Sequence, residues 1–385
     1  MFWILGGDAL VHALAVVATI APVKLLAGQF EHKDWAGFAF YDLIFPLFVF
    51  VSGVSMVFSL TRTIEQHGRV RAAQRVIGRT VLLVLVGIFY SGGFTTPWPD
   101  IRLLGVLQRI GLAYGGAGLL FCFFRPRALA VWAVVLLVGY WALLTWVPIR
   151  DVTLEAKAMT TQLGTAGKLP ALEQVQAHFE STQARVSGRY EPGLNVANHF
   201  DFQYLPGRKY DTYFDPEGIL STFPAIVTCL LGVFAGLLLR DGRWTDPQKL
   251  ARLVGAGALA LALGWLWHLQ FPVVKKIWTS SFVLVAGGWS LLLLALFYYL
   301  VDVRRWRGWT APFVWIGMNS ITLYVLANLI RPRAVAGRFA GGSVKAWLDT
   351  HVAAGMGNLV IALIGALLIV LVARFLYRRQ IFLRL

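Results

Sequence analysis

Several polar side chains lie inside long apolar stretches of this sequence, where ionisable groups are costly and usually functional. Asp8 and His12 are four residues apart and would share one face of a helix. The other members of this group are Asp42, Gln108, Arg109, His268, Asn319 and Asn328. Such groups can bind substrates or carry protons, but they can also hydrogen-bond between helices to fix the packing. The residue types leave both roles open.

A histidine in a polar segment is a second candidate for chemistry. His32 lies just before an apolar stretch, and Glu31 and Asp34 flank it. Imidazole accepts and donates protons near neutral pH, and a nearby carboxylate would orient the ring or raise its pKa. A solvated loop histidine is the alternative, and spacing alone favours that alternative.

Aromatic and acidic side chains concentrate in the polar segments between apolar stretches. An aromatic belt at the membrane interface would explain most of the rings. Rings beside carboxylates are also what a polar, ring-shaped ligand requires. The aromatic residues are Trp35, Phe94, Trp98, Tyr190, Tyr204, Tyr210, Tyr213 and Phe214, and the carboxylates are Asp100, Asp201, Asp211, Asp215 and Glu217.

Metal sites and common enzyme motifs are not indicated. The two cysteines, Cys122 and Cys229, are far apart in apolar stretches, where a buried free thiol is the usual state. No P-loop, G-x-S-x-G, H-E-x-x-H or dinucleotide motif occurs in a supporting context. We therefore expect no metal.

The composition indicates the elements that must position these residues. Of 385 residues, 58% are hydrophobic and only 14% are charged, more apolar surface than a soluble core could bury. Each stretch of about 20 apolar residues can span a bilayer as a helix. The sequence thus predicts an all-α integral membrane protein, a bundle of about ten transmembrane helices. The predicted spans are 2–26, 40–60, 80–94, 104–124, 128–148, 218–239, 253–271, 279–300, 312–330 and 357–376.

The net charge of +16 reports topology rather than nucleic-acid binding. More than half of the 35 Lys and Arg residues fall in one alternate set of loops and at the C-terminus. By the positive-inside rule, both termini are cytoplasmic, and the cell inner membrane is the expected location.

The long polar segment 149–217 would then be extracytoplasmic. Within it, residues 171–187 are predicted to form an amphipathic surface helix, and 188–217 an ordered recognition loop. We expect one transmembrane domain over 1–385. Its N-terminal flank is expected to be missing, because Met1 leads directly into an apolar stretch.

Four motifs in a fixed order resemble the heparan-α-glucosaminide N-acetyltransferase family and its bacterial relatives. They cover residues 1 to about 330. The motifs are His32-Lys-Asp-Trp-Ala-Gly-Phe with Asp42-Leu-Ile-Phe-Pro-Leu-Phe, Arg102-Leu-Leu-Gly-Val-Leu-Gln-Arg-Ile, Phe214-Asp-Pro-Glu-Gly-Ile-Leu-Ser-Thr and Pro312-Phe-Val-Trp-Ile-Gly-Met-Asn-Ser.

The resemblance implies an integral membrane acyltransferase. It would take acetyl from cytosolic acetyl-CoA, as co-substrate, and deliver it to the amino group of a terminal glucosamine-like sugar on the far side. His32 matches the position of the family's essential histidine, shortly before the Asp-Leu-(Ile/Val)-Phe-Pro motif. It would act as a general base or as a covalent acetyl carrier.

The chemistry of acyl transfer suggests roles for the other candidates. Asp42 and Asn319 would join His32 in catalysis. Gln108, Arg109 or Asn319 would donate to the developing oxyanion. Arg75 and Arg79, with Arg62 and Arg243 as further candidates, would dock the phosphates of CoA, although the positive-inside rule explains these arginines equally well. The acceptor would be held by Asp215, Glu217, Trp98, Asp100, Asn198 and Asp201.

The alternative function is a permease or a glycan or lipid flippase without acyl-transfer chemistry, which the composition and topology fit equally well. The partners expected for the acyltransferase are an amino-sugar or glycan acceptor, membrane lipid and a second copy in a homodimer, with no nucleic acid.

Overall fold

The computed structural model describes residues 1–18, 20–165 and 167–382. In these residues the regular structure is almost entirely helical, which confirms the all-α prediction. The α-helices are α1 Asp8–Val17, α2 Ala21–Gln29, α3 Phe40–Tyr90, α4 Val106–Phe123, α5 Pro126–Trp146, α6 Ala156–Gln162, α7 Leu172–Ser181, α8 Val196–Tyr204, α9 Thr222–Arg240, α10 Asp246–His268, α11 Ser280–Phe297, α12 Ala311–Met318, α13 Ser320–Ile330, α14 Pro332–Ala340, α15 Gly342–His351 and α16 Met356–Arg378. Trp3–Gly7 and Tyr298–Val303 are π-helical, and Trp98–Asp100 is a 3₁₀ turn.

The chain divides into two compact units. The terminal unit comprises Met1–Lys33, Ala39–Ile44 and Phe297–Leu385. The central unit comprises Asp34–Phe38 and Phe45–Leu296. The prediction of one domain over the whole chain stays a prediction.

Apolar helices make this a multi-pass membrane protein. In the described part of the chain, seven helices are long and apolar enough to cross a membrane, or eight if the bent pair α12 and α13 is one span. Helix α3, with 51 residues, is far longer than the roughly 20 that one crossing needs. It breaks at Gly68, whose φ of 80° is left-handed, so its two halves correspond to the predicted spans 40–60 and 80–94.

Two predicted spans are not single straight helices. The span 2–26 was predicted as one helix, but α1 ends at Val17 and α2 begins at Ala21, with Pro22 in its first turn. Proline lacks the amide hydrogen that a helix interior requires, so a new helix begins there. The span 312–330 bends by 83° between α12 and α13, at Asn319.

The terminal unit is organised around α16. This helix packs against α1, α12, α14 and α15. Leu5, Ile316, Leu323, Ile369 and Ala373 form a buried apolar cluster of this unit.

Glycines allow α3 and α9 of the central unit to approach closely. A methyl group at Gly53 would overlap the carbonyl oxygen of Cys229, and one at Gly232 would overlap that of Phe50. Small residues at helix crossings let the backbones of membrane helices approach closely, and the resulting van der Waals packing holds the helices together.

The segment 149–217 is an ordered part of the central unit. β1, Ile149–Arg150, pairs antiparallel with β2, Arg185–Val186. The predicted helix over 171–187 is confirmed only as α7, Leu172–Ser181, because the chain then extends into β2. Val175 and Phe179 of α7, four residues apart, are buried in a small apolar cluster with Val152, Leu154, Met159, Tyr213 and Phe214.

We expect Gly232→Ala to lower the apparent Tm in detergent by several degrees, because the added methyl forces α3 and α9 apart. Overpacking of this kind costs about 1–3 kcal/mol. Gly139→Ala in α5 is the matched control, since nothing lies within 4 Å of a methyl group there. An unchanged Tm for the Gly232 variant would contradict the close approach.

Candidate functional site

His32 and Asp42 meet in the terminal unit. The His32 Nδ1 lies 2.8 Å from Oδ1 of Asp42. The Asp42 side chain is 1% exposed and that of His32 is 51% exposed, so a buried carboxylate supports an accessible ring. The sequence suggested the flanking Glu31 and Asp34 as the orienting carboxylates. The structure gives His32 a partner ten residues along the chain.

Backbone contacts hold Asp42 in place at the start of α3. Its Oδ2 accepts hydrogen bonds from the backbone amides of Ala39, at 3.1 Å, and Lys33, at 3.3 Å. The amide of Asp42 donates in turn to the Ala39 carbonyl, at 3.0 Å. Asp42 therefore joins the loop that carries His32 to the first turn of α3.

The aromatic ring of Tyr41 packs beside the pair. Its centroid is 4.6 Å from that of His32. Its hydroxyl donates to Asp8 Oδ2 at 3.0 Å, so Asp8, predicted as a polar residue within a span, fixes this ring. Tyr41 was not among the predicted site residues, since a tyrosine at the start of an apolar helix is typical of a membrane interface.

With Asp42 ionised, its carboxylate can only accept a hydrogen bond, and Nδ1 of His32 then carries the proton between the two groups. Nε2 is then the basic nitrogen of the neutral ring. This arrangement can move a proton or attack an acyl carbon.

A second polar group lies in the central unit, where Arg102 binds two carboxylates. Its Nε and Nη2 donate to Asp215 at 2.9 and 2.8 Å, and Nη2 also donates to Glu217 at 2.8 Å. Asp215 further accepts from the amides of Tyr210 and Glu217, both at 3.0 Å. These four bonds use the acceptor capacity of a carboxylate. The geometry therefore favours a positioning role for Asp215, and its contact with acceptor hydroxyls stays a prediction.

Arg109 is buried at the start of α4. It is 1% exposed, and its Nη2 donates to the carbonyl of Gly218, at 3.2 Å, and to the hydroxyl of Ser221. The guanidinium carbon lies 5.0 Å from the Trp278 ring centroid. Its Nε and Nη1, like Nε2 of the buried Gln108, have no hydrogen-bond partner in the structure. Buried donors of this kind usually have partners, so these three can receive a ligand oxygen.

Helix α8 carries three buried polar side chains. Asn198 Oδ1 accepts from the Gly193 amide at 3.0 Å and from the Asn195 side chain at 2.6 Å, which ties it to the local fold. Asp201 Oδ1 accepts from the Ile219 amide at 2.9 Å. Burial raises the pKa of Asp201 to about 7. Burial lowers the pKa of His199 to about 4.

Other predicted acceptor-site residues are more accessible. Trp98 is 81% exposed, and Asp100 ends the same exposed 3₁₀ turn. Arg102 packs over the exposed ring of Tyr210, with its guanidinium carbon 5.0 Å from the ring centroid.

The predicted phosphate-docking arginines have different surroundings. Arg75 lines a groove of about 1020 Å³ beside the Gly68 break, and its Nη1 donates to Thr63 at 3.1 Å. Arg79 instead packs over the Tyr114 ring, 4.8 Å from its centroid. Arg243 forms an exposed ion pair with Asp241 at 2.6 Å.

Asn319 lies at the bend between α12 and α13. It is 2% exposed, and its Nδ2 donates to the carbonyl of Ile381 at 3.0 Å. Its contribution to an oxyanion site stays a prediction.

Comparison with known proteins agrees with the motifs. No protein-family model matches the chain. Heparan-alpha-glucosaminide N-acetyltransferase from Mus musculus is 27% identical over 332 residues, and that from Homo sapiens is 28% identical over 331. The chain is therefore similar to these two N-acetyltransferases. Each alignment covers 77% of this chain, which spans about half (48%) of the length of these two N-acetyltransferases.

Sequence reasoning did not place Arg102, Ser221 and Trp278 in the site. Arg102 and Ser221 do occur in the motifs on which the resemblance rests. A single arginine in a short loop otherwise indicates only topology. Trp278 follows an apolar stretch and is typical of a core or interface residue.

Opposite pKa shifts on α8 make the pH dependence of stability testable. Between pH 4 and 6.5, the raised pKa of Asp201 makes the folded protein less stable as the pH increases. The lowered pKa of His199 makes it more stable as the pH increases. In Asp201→Asn only the contribution of His199 remains, so stability should increase as the pH rises. Relative to wild type, the variant should gain about 3 kcal/mol between pH 4.5 and 7, seen as a higher apparent Tm. A difference in Tm that does not change with pH would contradict these shifts.

Proposed function

We propose that the protein is a membrane N-acetyltransferase that moves an acetyl group from acetyl-CoA to the amino group of a glucosamine-like sugar. The His32–Asp42 pair, in which Nδ1 of the ring lies 2.8 Å from a buried carboxylate oxygen, is the observation that carries the proposal. The similarity to two N-acetyltransferases over 77% of the chain supports it. The proposed location is the cell inner membrane with both termini cytoplasmic.

In the direct mechanism, Nε2 of His32 removes a proton from the acceptor ammonium. The neutral amine attacks the thioester carbonyl carbon, the C–S bond breaks, and CoA leaves as thiolate. The thiolate takes the second amine proton, and His32 releases the first to solvent. Asp42 stabilises the imidazolium that forms between these steps.

In the covalent mechanism, Nε2 itself attacks the thioester, and CoA leaves before the amine accepts the acetyl group from the ring. Initial-rate kinetics separate the two, because parallel double-reciprocal lines indicate the covalent route and intersecting lines a ternary complex. Both need a donor to the oxyanion, and Asn319, Gln108 and Arg109 stay the candidates for this role.

For the acceptor, we propose an extracytoplasmic site that includes Glu217, Trp98 and Asp100. Arg102 and Asp215 position Glu217, and burial raises the pKa of this carboxyl. Asn198 and Asp201 support the site from α8.

His32→Ala should lower kcat by roughly 10²- to 10⁴-fold, because it removes the proton acceptor, while acetyl-CoA binding stays intact. Asp42→Asn should lower kcat by roughly 10²-fold or more, because an amide no longer fixes the ring tautomer. Release of CoA thiol in the presence of glucosamine is the measurement. His351→Ala, at an exposed histidine, is the control.

Full activity of His32→Ala would refute the assignment. Transport of sugar across proteoliposomes without consumption of acetyl-CoA would favour the permease alternative.

A further inference from the structure

The hydrogen bond to Asp42 places one nitrogen of the His32 ring, but by itself it does not set the plane of the ring. Rotation about the line from Nδ1 to Oδ1 would still move Nε2. A displacement of about 1 Å at a reacting atom can lower a rate roughly 10²-fold. Acetyl transfer through Nε2 therefore needs a contact that holds the imidazole against this rotation.

The ring of Tyr41 makes such a contact. Its centroid lies 4.6 Å from that of His32, and the two ring planes are inclined by 38°. This separation is at the close end of the range for interacting aromatic rings. Tyr41 and Asp42 are consecutive residues in the first turn of α3, so their side chains leave the helix in directions about 100° apart. They therefore hold the imidazole at two places, Asp42 at Nδ1 and Tyr41 at the ring.

Tyr41 is itself fixed by other residues of the terminal unit. Its hydroxyl donates to Oδ2 of Asp8, the first residue of α1, at 3.0 Å. Its ring centroid lies 6.0 Å from that of Phe30, which is buried. Phe30 packs in turn against Trp3 and Phe40, with centroid distances of 4.9 and 5.2 Å. The tyrosine is thus held both at its hydroxyl and along its ring.

Asp8 is a partly buried carboxylate in an apolar stretch, where such groups are costly and usually functional. In the described part of the chain it has no cationic partner. Its oxygens accept from the Tyr41 hydroxyl and, at 2.7 Å, from the backbone amide of Ala9. An apolar side chain would pack between helices without the cost of a charge. A charged acceptor instead gives the tyrosine hydroxyl a stronger hydrogen bond than a neutral one.

We propose that Tyr41 and Asp8 are positioning residues for His32. Tyr41 holds the plane of the imidazole, and Asp8 holds Tyr41 through its hydroxyl, so Nε2 keeps one direction toward the acyl carbon. Both residues act through His32. This inference rests on the proposed function.

The first test is the steady-state kinetics of the detergent-purified protein with acetyl-CoA and glucosamine. Tyr41→Leu should lower kcat by roughly 10- to 100-fold, because the imidazole loses its support. The KM values should stay within about twofold, because binding of the substrates is not changed. Tyr299→Leu is the matched control, since it removes an exposed tyrosine from the same unit.

The hydrogen bond between Tyr41 and Asp8 is tested separately. Tyr41→Phe and Asp8→Ala each remove this bond and keep the ring, so each should lower kcat about three- to tenfold. The double variant should lose no more than either single variant, because both changes remove the same bond. Asp8→Asn should recover most of the activity, since an amide oxygen also accepts from a hydroxyl. These small changes keep the test valid even where Tyr41→Leu lowers the Tm.

A second measurement separates the position of His32 from its basicity. Diethyl pyrocarbonate diffuses freely and carbethoxylates neutral imidazole, and mass spectrometry of peptides gives the rate at each histidine. A positioning role predicts that the rate at His32 does not fall in Tyr41→Leu, although kcat does. His351, which is exposed, serves as the internal reference.

Full kcat in Tyr41→Leu, or a carbethoxylation rate at His32 that falls in step with kcat, would overturn the inference and leave the proposed function standing. Additive losses in the double variant, or equal losses in Asp8→Asn and Asp8→Ala, would overturn the role of Asp8. No acetyl transfer by the wild-type protein, or full activity of His32→Ala, would refute the proposed function and the inference with it.

Discussion

A charged side chain buried in an apolar helix bundle needs an opposite charge or hydrogen-bond partners nearby, because burying an unpaired charge costs free energy. This requirement determines how the polar parts of the protein are arranged. Asp215 is fully buried, and Arg102 with two backbone amides surrounds it. The same contacts join the loop before α4 to the segment before α9. Arg109, one turn into α4, donates hydrogen bonds to Ser221 and Gly218 of that segment, which are neutral acceptors. The ends of two helices are therefore fixed by one ion pair and by hydrogen bonds from a buried guanidinium group.

The terminal unit applies the same constraint on a smaller scale. Asp42 is buried, but it accepts from two backbone amides and from the ring of His32. Removal of the histidine would leave a buried carboxylate with weaker support, and removal of the carboxylate would leave the ring without an orienting group. Stability and chemistry are thus coupled at this pair, so kinetic effects need to be compared with melting temperatures.

Much of the architecture could be predicted from the sequence, because hydrophobic length and the period of α7 are local properties. The motifs also brought His32, Asp42, Gln108, Arg109, Asp215 and Glu217 into consideration. What could not be predicted depended on contacts between distant residues. The pairing of His32 with Asp42, ten residues along the chain, and of Arg102 with Asp215, comes from the tertiary fold. Helix breaks were also missed, because the stretches at Asn319 and Pro22 are apolar enough to read as continuous spans.

The neighbouring titratable groups His199 and Asp201 on α8 affect how the stability of the extracytoplasmic segment depends on pH. Between pH 4 and 6.5, unfolding would take up a proton at His199 and release one from Asp201, so the two nearly cancel. On the proposed topology, this helix faces a medium whose acidity the cell does not control. His199 alone would make the fold less stable in acid, and Asp201 alone would make it less stable as the pH rises. Together they keep the stability of this segment nearly independent of pH over that range.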